Sequence, residues 1–204
     1  MNFFTVGFLL ANLQLDLGLW VGYAIKFAGG LFMLMGIQEA ALVDECVVKL
    51  KALGISFTVL AGASAASVKI FQSAELSNGE DIIKIVSIIC GVLTTAAAGL
   101  FFRKLLIMLR DNPGIADNVP EVGRLKPKYD RMLIVLAVVL IADAVNRFAG
   151  VPAGTAKPND EITVADIMGV IMYFTKIISY VYLLICTLGF NKLRMSFNSA
   201  HPAA

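Results

Sequence analysis

Few residues of this chain belong to the types that do chemistry in enzymes. The only histidine is His201, close to the C-terminus, and the three cysteines, Cys46, Cys90 and Cys186, are far apart in the sequence. A zinc, haem or iron–sulfur centre needs several such ligands at short spacings, and no such spacing occurs here. Acid–base catalysis needs a convergent pair of titratable groups in a cleft, and we find none. We therefore expect a protein that is not an enzyme, with no catalytic residue, metal or cofactor.

The residues of greatest interest are charged groups inside apolar runs. Lys26 and Lys176 each lie deep in such a run, and Lys176 stands between Tyr173 and Tyr180, three residues before it and four after it. A charge at bilayer depth costs about 2.5–3.5 kcal/mol on insertion scales, so it usually meets a partner or lines a polar cavity. We favour buried polar contacts that fix the bundle geometry. An ion or proton pathway is the alternative.

Asp143 is the acidic residue best placed to meet these lysines. It lies in another apolar run and could reach Lys26 or Lys176 across a helical bundle. Arg147, four residues later, offers a simpler local ion pair on the same helix. Both arrangements are open from the sequence.

The composition identifies the solvent that surrounds these residues. The chain has 204 residues, of which 58% are hydrophobic and 16% charged, and its mean hydropathy is +0.80. Soluble domains contain about 45–50% apolar and about 25% charged residues, so most of this chain must face lipid. We predict an all-α, polytopic integral membrane bundle that forms one domain over residues 1–204.

The apolar runs predict five membrane-spanning helices, because about 20 residues of helix cross the hydrocarbon layer. The predicted spans are 17–37, 52–72, 82–102, 132–149 and 164–190. Residues 1–15 are too short to cross and have no basic n-region, which predicts an interfacial or re-entrant helix rather than a signal peptide. All prolines fall in predicted loops or in the tail, so we expect continuous helices: Pro113, Pro120, Pro127, Pro152, Pro158 and Pro202.

The orientation follows from the basic residues, which concentrate on the cytoplasmic side of membrane proteins. The opposite set of loops holds Arg147 and Lys157, with Lys69 and Lys84 at the span ends. We therefore predict that the N-terminus lies outside and that the tail 191–204 is cytoplasmic; a sixth full span at 1–15 would instead move the N-terminus inside. The short loops suit a prokaryotic inner membrane. One set of loops collects Lys49, Lys51, Arg103, Lys104, Arg110, Arg124, Lys126, Lys128, Arg131, Lys192 and Arg194.

The longest polar connection is the predicted cytoplasmic loop 103–131. Its beginning, FFRKLLIMLR, predicts a helix along the headgroups with its apolar side chains facing the membrane, ended by Asn112-Pro113-Gly114. Four basic residues follow just before the fourth span. We expect them to bind anionic lipid, and the alternative is that they dock a cytoplasmic partner. They are Arg124, Lys126, Lys128 and Arg131.

Small residues recur every fourth position along the first three predicted spans. Such stripes let helix backbones approach closely in lipid. The second and third stripes could face each other in a hairpin within one chain, or could face a second copy. The three stripes are Gly18, Gly22, Lys26 and Gly30; Gly54, Thr58, Gly62 and Ala66; and Ser87, Gly91, Thr95 and Gly99.

These features favour a non-enzymatic subunit of an oligomeric membrane assembly that forms or lines a channel or translocation passage. A scaffold or accessory subunit that docks a cytoplasmic partner is the second hypothesis, and an enzyme acting on lipid-linked substrates is the last. The expected partners are membrane lipid and a second copy, other membrane subunits, or both. The net charge of +2 does not indicate nucleic-acid binding.

Overall fold

A computed structural model describes residues 2–13, 19–41, 45–73, 79–112, 119–149 and 164–200. Within these ranges the chain forms helices and no strand, which confirms the predicted all-α class. A short 3-10 helix, Glu45–Leu50, precedes α3. The α-helices are α1 (Asn2–Asn12), α2 (Leu19–Ala41), α3 (Lys51–Ser73), α4 (Gly79–Asp111), α5 (Glu121–Ala149) and α6 (Val164–Ala200).

Among the residues that the structure describes, four helical stretches are long and apolar enough to cross a membrane. They are Trp20–Ala41 in α2, Val47–Ser73 in the 3-10 helix and α3, Asp81–Asp111 in α4 and Gly169–Ser199 in α6. They confirm an integral membrane helical bundle. The predicted fourth span, 132–149, lies within α5, whose described residues do not meet the same length and composition requirement, so that span stays a prediction.

Helix α1 belongs to the core of the bundle. Phe4, Phe8 and Ala11 are buried, and a Cβ placed on Gly29 of α2 would lie 2.7 Å from the backbone nitrogen of Ala11. The absence of a side chain on Gly29 therefore allows α1 to lie directly against α2. Eleven residues of helix extend about 16 Å, roughly half the hydrocarbon thickness. Helix α1 is therefore too short to cross, as predicted, and its interfacial or re-entrant placement stays a prediction.

The segment 103–131 differs from the predicted loop. Helix α4 continues to Asp111 and α5 begins at Glu121, so most of the segment is helical. Its apolar side chains, including Leu105, Leu106 and Leu109, are buried in the core. Their spacing places them on one helical face, and that face packs against neighbouring helices, so the expectation of a membrane-facing surface is wrong.

Pro127 lies inside α5, which contradicts the expectation that every proline falls in a loop or the tail. A proline in a helix cannot donate to the carbonyl four residues earlier, here that of Gly123. Both Pro127 and Gly123 are exposed, so solvent can satisfy that carbonyl. The proline also precedes the predicted span 132–149 and does not interrupt it.

Each helix packs against the next one along the chain, and α1 also packs against α6. The predicted neighbour relation between α3 and α4 is therefore confirmed. The hairpin hypothesis predicts that the small-residue stripes of α3 and α4 face each other, and the structure differs from it. Gly30 of α2 lies against Thr58 of α3, whose Cα would be 3.0 Å from an added Cβ, and Gly62 of α3 packs on the Phe27 ring of α2. Gly99 of α4 packs instead against α5.

One end of the bundle gathers both ends of the described chain. Asn2 Nδ2 donates to Glu39 Oε1 at 3.0 Å, and Asn198 Nδ2 donates to Asn2 Oδ1 at 3.4 Å. The start of α1 and the ends of α2 and α6 therefore lie together. Because successive helices run antiparallel, the end of α4 and the start of α5 lie at the same level. We call this the basic end, because exposed lysine and arginine side chains of α3, α4, α5 and α6 lie there. The sequence predicts the two termini on opposite sides of a membrane, whereas Asn2 and Asn198 lie at one end of the bundle; the orientation of the termini stays a prediction.

Candidate functional site

Lys26 lies inside the bundle, between α2 and α4. Its side chain is 8% exposed, and Nζ donates to Thr94 Oγ1 at 3.4 Å while lying 5.6 Å from the centre of the Tyr23 ring. The Thr94 hydroxyl donates to the Cys90 carbonyl at 2.7 Å, and the Tyr23 hydroxyl donates to the Ser87 carbonyl at 2.6 Å. The hydroxyl oxygen of Thr94 and the face of the Tyr23 ring therefore both stabilise the ammonium group.

The position of Thr94 gives the membrane depth of this cluster. Thr94 lies ten residues after Lys84 and nine before Arg103 on α4, and both of these charged residues are exposed. At 1.5 Å per residue the separations are about 15 and about 14 Å. The Lys26 ammonium therefore lies near the middle of the span, as its position in the sequence predicts.

The predicted partner of Lys26 is absent from this cluster. Over the residues that the structure describes, no carboxylate lies within ion-pair distance of Lys26, so a Lys26–Asp143 pair does not form. The alternative Asp143–Arg147 pair involves a side chain outside the described ones. Lys176 lies on α6, which packs against α1 and α5 rather than extensively against α2. The structure therefore does not bring the two lysines to one site.

A second set of polar residues follows one line along α6. Tyr173, Lys176, Tyr180 and Thr187 are separated by three, four and seven residues, which places them on one narrow strip of the helix. We call this strip the α6 stripe. Tyr173 is 65% exposed and Tyr180 is 38% exposed, while Lys176 and Thr187 are partly exposed. Tyr173 is thus not buried, and the stripe lies on the outer surface of the single chain.

Between positions 167 and 188 the remainder of the exposed surface of α6 is apolar. Phe174, Ile178 and Ile185 lie beside the stripe and are exposed. In the candidate span of α6, 17% of the most apolar window is buried within the chain, against 33–39% in the other three spans. Helix α6 therefore presents a polar stripe and an adjoining apolar face, and little of either is covered by the chain itself.

At the basic end, Asp130 joins α4 to α5. Its carboxylate lies 2.7 Å from Lys126 Nζ and 3.3 Å from Arg103 Nε. The hydrogen bond from Lys126 is the main reason that the pKa of Asp130 lies below its ordinary value, and the charges of Lys126 and Arg103 lower that pKa further. Lys126 is 19% exposed and is engaged by Asp130. Its assignment to lipid or partner binding stays a prediction.

The other three members of the predicted basic cluster remain on the surface. Arg124, Lys128 and Arg131 are exposed, and their spacing of four and three residues places them on one face of α5. We call these three residues the α5 basic face. The sequence had placed them in a loop, where no common face could be expected.

Four aromatic rings from four helices meet near the basic end. Phe8 of α1, Phe102 of α4, Tyr129 of α5 and Phe190 of α6 have ring centres 4.5–6.4 Å apart. Tyr129 is fully buried, and its hydroxyl lies 3.4 Å from the carbonyl oxygen of Gly99. The sequence analysis missed this cluster. The available signal was the aromatic pair that opens FFRKLLIMLR, which a helix places on its buried face.

No three His, Cys, Asp or Glu side chains of the described ranges come together in a group that could hold a metal ion. The three features that could carry function are therefore the Lys26 cluster, the α6 stripe and the α5 basic face. Comparisons with protein families, with curated proteins and with solved structures find no match to this chain.

Proposed function

We propose that this chain is a non-enzymatic subunit of a homo-oligomeric membrane assembly, in which the α6 stripe lines a passage for an ion or small solute. The observation that carries the proposal is a line of three hydroxyl groups and an ammonium group on the outer surface of one chain. Lys176 lies ten residues after Asp166 and sixteen before Lys192, about 15 and about 24 Å along the helix. At such depth, polar side chains are stabilised by water or by protein rather than by lipid.

The apolar face beside the stripe is the proposed contact with the next copy. The small-residue stripes of α2 and α3 are used within the chain, and Lys26 is enclosed by its own bundle. Neither is therefore available to an assembly. A face of large apolar side chains next to a polar strip suits a ring of copies. When neighbouring copies contact each other through the apolar face, the α6 stripe of each copy faces the central axis of the ring.

We propose that the chain lies in a prokaryotic inner membrane with its basic end on the cytoplasmic side. Exposed lysine and arginine side chains of α3, α4, α5 and α6 gather there, and such residues are retained on the cytoplasmic side. Because Asn2 and Asn198 are in contact, this orientation puts both ends of the described chain in the cytoplasm.

Cysteine labelling tests the passage. Tyr173→Cys and Tyr180→Cys place thiols on the stripe, and Ile178→Cys is the matched control on the apolar face, at 47% exposure beside 38% for Tyr180. A charged, membrane-impermeant thiol reagent reacts with a thiolate, which forms in water and not in hydrocarbon. We expect the reagent to label positions 173 and 180 in membranes and to leave position 178 at the level of the parent chain.

The same samples report the copy number. A multimer in mild detergent, with labelling at 180 that blocks solute flux, would support the proposal. A monomeric chain, or equal labelling at 178 and 180, would contradict it. Lys176→Ala should also alter the flux, whereas Lys26→Ala should change it only through stability.

The α5 basic face favours a second candidate, an accessory subunit that docks an acidic cytoplasmic partner. Changing its three residues to Gln should release such a partner during co-purification, because each neutral side chain removes an exposed charge from one face. A control variant neutralises exposed lysines elsewhere at the basic end: Lys49, Lys104 and Lys192. Equal retention of a partner by both variants would rule out docking through this face.

A further inference from the structure

An apolar groove of about 210 Å³ lies between the end of α2, the 3-10 helix and the start of α3. Its apolar lining includes residues from both α-helices. Two exposed polar side chains, Gln38 and Lys51, complete it. The apolar residues include Leu34, Ile37, Ala41 and Ile55.

The groove extends from the level of the basic residues into the apolar part of the bundle. A Cβ placed on Gly54 of α3 would lie 3.4 Å from the Phe101 ring of α4, so these two residues share a level. Helices α3 and α4 are antiparallel, and therefore Lys51 and Arg103 both lie toward the basic end from that level. Ile55 lies on its other side. One end of the groove is thus beside charged residues, and the other is beside exposed apolar side chains such as Ile55 and Val59.

The charge of the groove lies at one end. In the described part of the chain Lys51 forms no ion pair, and Lys49, two residues before it, is exposed as well. The nearby acidic residue of the 3-10 helix is Glu45, while Glu39 accepts hydrogen bonds from Asn2 and from the Phe3 amide. Neither carboxylate lines the groove, and Lys51 is the one charged residue among its lining side chains.

We propose that this groove binds one anionic phospholipid, with an acyl chain against Leu34, Ile37 and Ile55 and the phosphate beside Lys51. Basic pockets next to membrane-spanning helices recognise anionic headgroups in this way, because the ammonium pairs with the phosphate while the chain remains in an apolar environment. The site lies on α2 and α3, away from the α6 stripe, and does not depend on an assembly of copies.

Native mass spectrometry of the full chain tests the proposal. The chain is extracted from vesicles of equal phosphatidylglycerol and phosphatidylcholine, and the retained lipids are counted. We expect one phosphatidylglycerol per chain. Lys51→Gln should lower its retention about fivefold, the factor expected for one lysine at a membrane surface. Lys49→Gln is the matched control, because Lys49 is exposed two residues away and does not line the groove.

A second variant separates the groove from its charge. Ala41→Phe fills part of the groove, leaves Lys51 in place and should release the lipid; an unchanged helical circular dichroism spectrum would show that the bundle is intact. Equal losses in Lys49→Gln and Lys51→Gln, or equal retention of the two lipids by the parent chain, would overturn the proposal. Displacement by inorganic phosphate alone would overturn it too, since that would identify a phosphate-ion site. So would a dimer that carries no lipid.

Discussion

Lys26 shows how a single residue can be stable at membrane depth without a carboxylate. Its ammonium group has one hydroxyl acceptor at 3.4 Å and one aromatic ring at 5.6 Å. Both contacts are weaker than an ion pair, but both also avoid the burial of a second charge, whose desolvation often exceeds the attraction gained. The long side chains of Tyr23 and Lys26 connect α2 to α4, whose backbones are not closely packed.

Lys26→Met should leave the stability of the chain unchanged or raise it. Methionine keeps the length and apolar stem of lysine and removes the cost of a buried charge. Lys26→Ala should instead lower the free energy of unfolding by about 2–5 kcal/mol, because it leaves a cavity. Thermal unfolding of the three purified chains in one detergent measures both effects. A loss in Lys26→Met as large as in Lys26→Ala would show that the ammonium itself holds the helices together.

Asp130 makes the stability depend on pH. Lys126 and Arg103 lower its pKa in the folded chain relative to the unfolded one. The resulting stabilisation is present above the unfolded pKa, near 3.8, and is lost as the pH falls through the lowered folded pKa. The pair is partly exposed, so we expect a loss of about 0.5–1 kcal/mol.

Unfolding measured from pH 6 to pH 2 tests this expectation, with Asp130→Asn as the control. The variant lacks the titrating carboxylate, and its stability should be lower than that of the parent at pH 6 and converge with it in acid. A constant difference between the two chains at every pH would contradict the assignment.

At the scale of elements, hydropathy predicts which segments are helices but not which helix covers each face. The apolar residues of FFRKLLIMLR are correctly predicted to share a face, and the structure packs that face on α5 and α6 rather than on lipid. Lipid and the interior of a helical bundle both favour apolar residues, so composition cannot distinguish a face that contacts lipid from one that packs on another helix. The same limit applies to the stripes, since a small residue permits close approach by any neighbour.

The candidate site likewise has features that the sequence predicts and features that it does not. The sequence places Lys26 far from the ends of an apolar run, and in the structure its ammonium group contacts Thr94, near the middle of the candidate span of α4. Its contacts with Thr94 and Tyr23 depend on how α2 is rotated against α4, and nothing in the local sequence determines that rotation. The exposure of Tyr173 likewise follows from the face of α6 that α5 covers.

Gly30→Ala should destabilise the crossing of α2 and α3. An added Cβ would contact the Thr58 side chain and lie 3.0 Å from the Thr58 Cα, so the helices must separate. We expect a loss of about 1–3 kcal/mol. Gly123→Ala is the matched control, because no atom lies within 4 Å of its added Cβ and alanine stabilises an exposed helix by about 1 kcal/mol. If Gly30→Ala and Gly123→Ala changed the free energy of unfolding by the same amount, helix propensity alone would account for both effects.

At the scale of the whole molecule, the basic end contains both ends of the described chain. Short epitope tags placed before Met1 and after Ala204 should therefore be accessible from the same side of sealed membrane vesicles. A tag between α3 and α4, after position 75, should be accessible only from the opposite side, because each of these helices crosses the bundle once. Accessibility of the two terminal tags from different sides would contradict the contact between Asn2 and Asn198.

The position of α1 has a consequence for biosynthesis. Phe8 leaves the ribosome long before one of its ring partners, Phe190. Until α4 has been made α1 can pack only on α2, and the aromatic cluster remains incomplete until α6 has entered the membrane. Nascent chains that stop before Phe190 should therefore be much more sensitive to quality-control proteases than the finished protein.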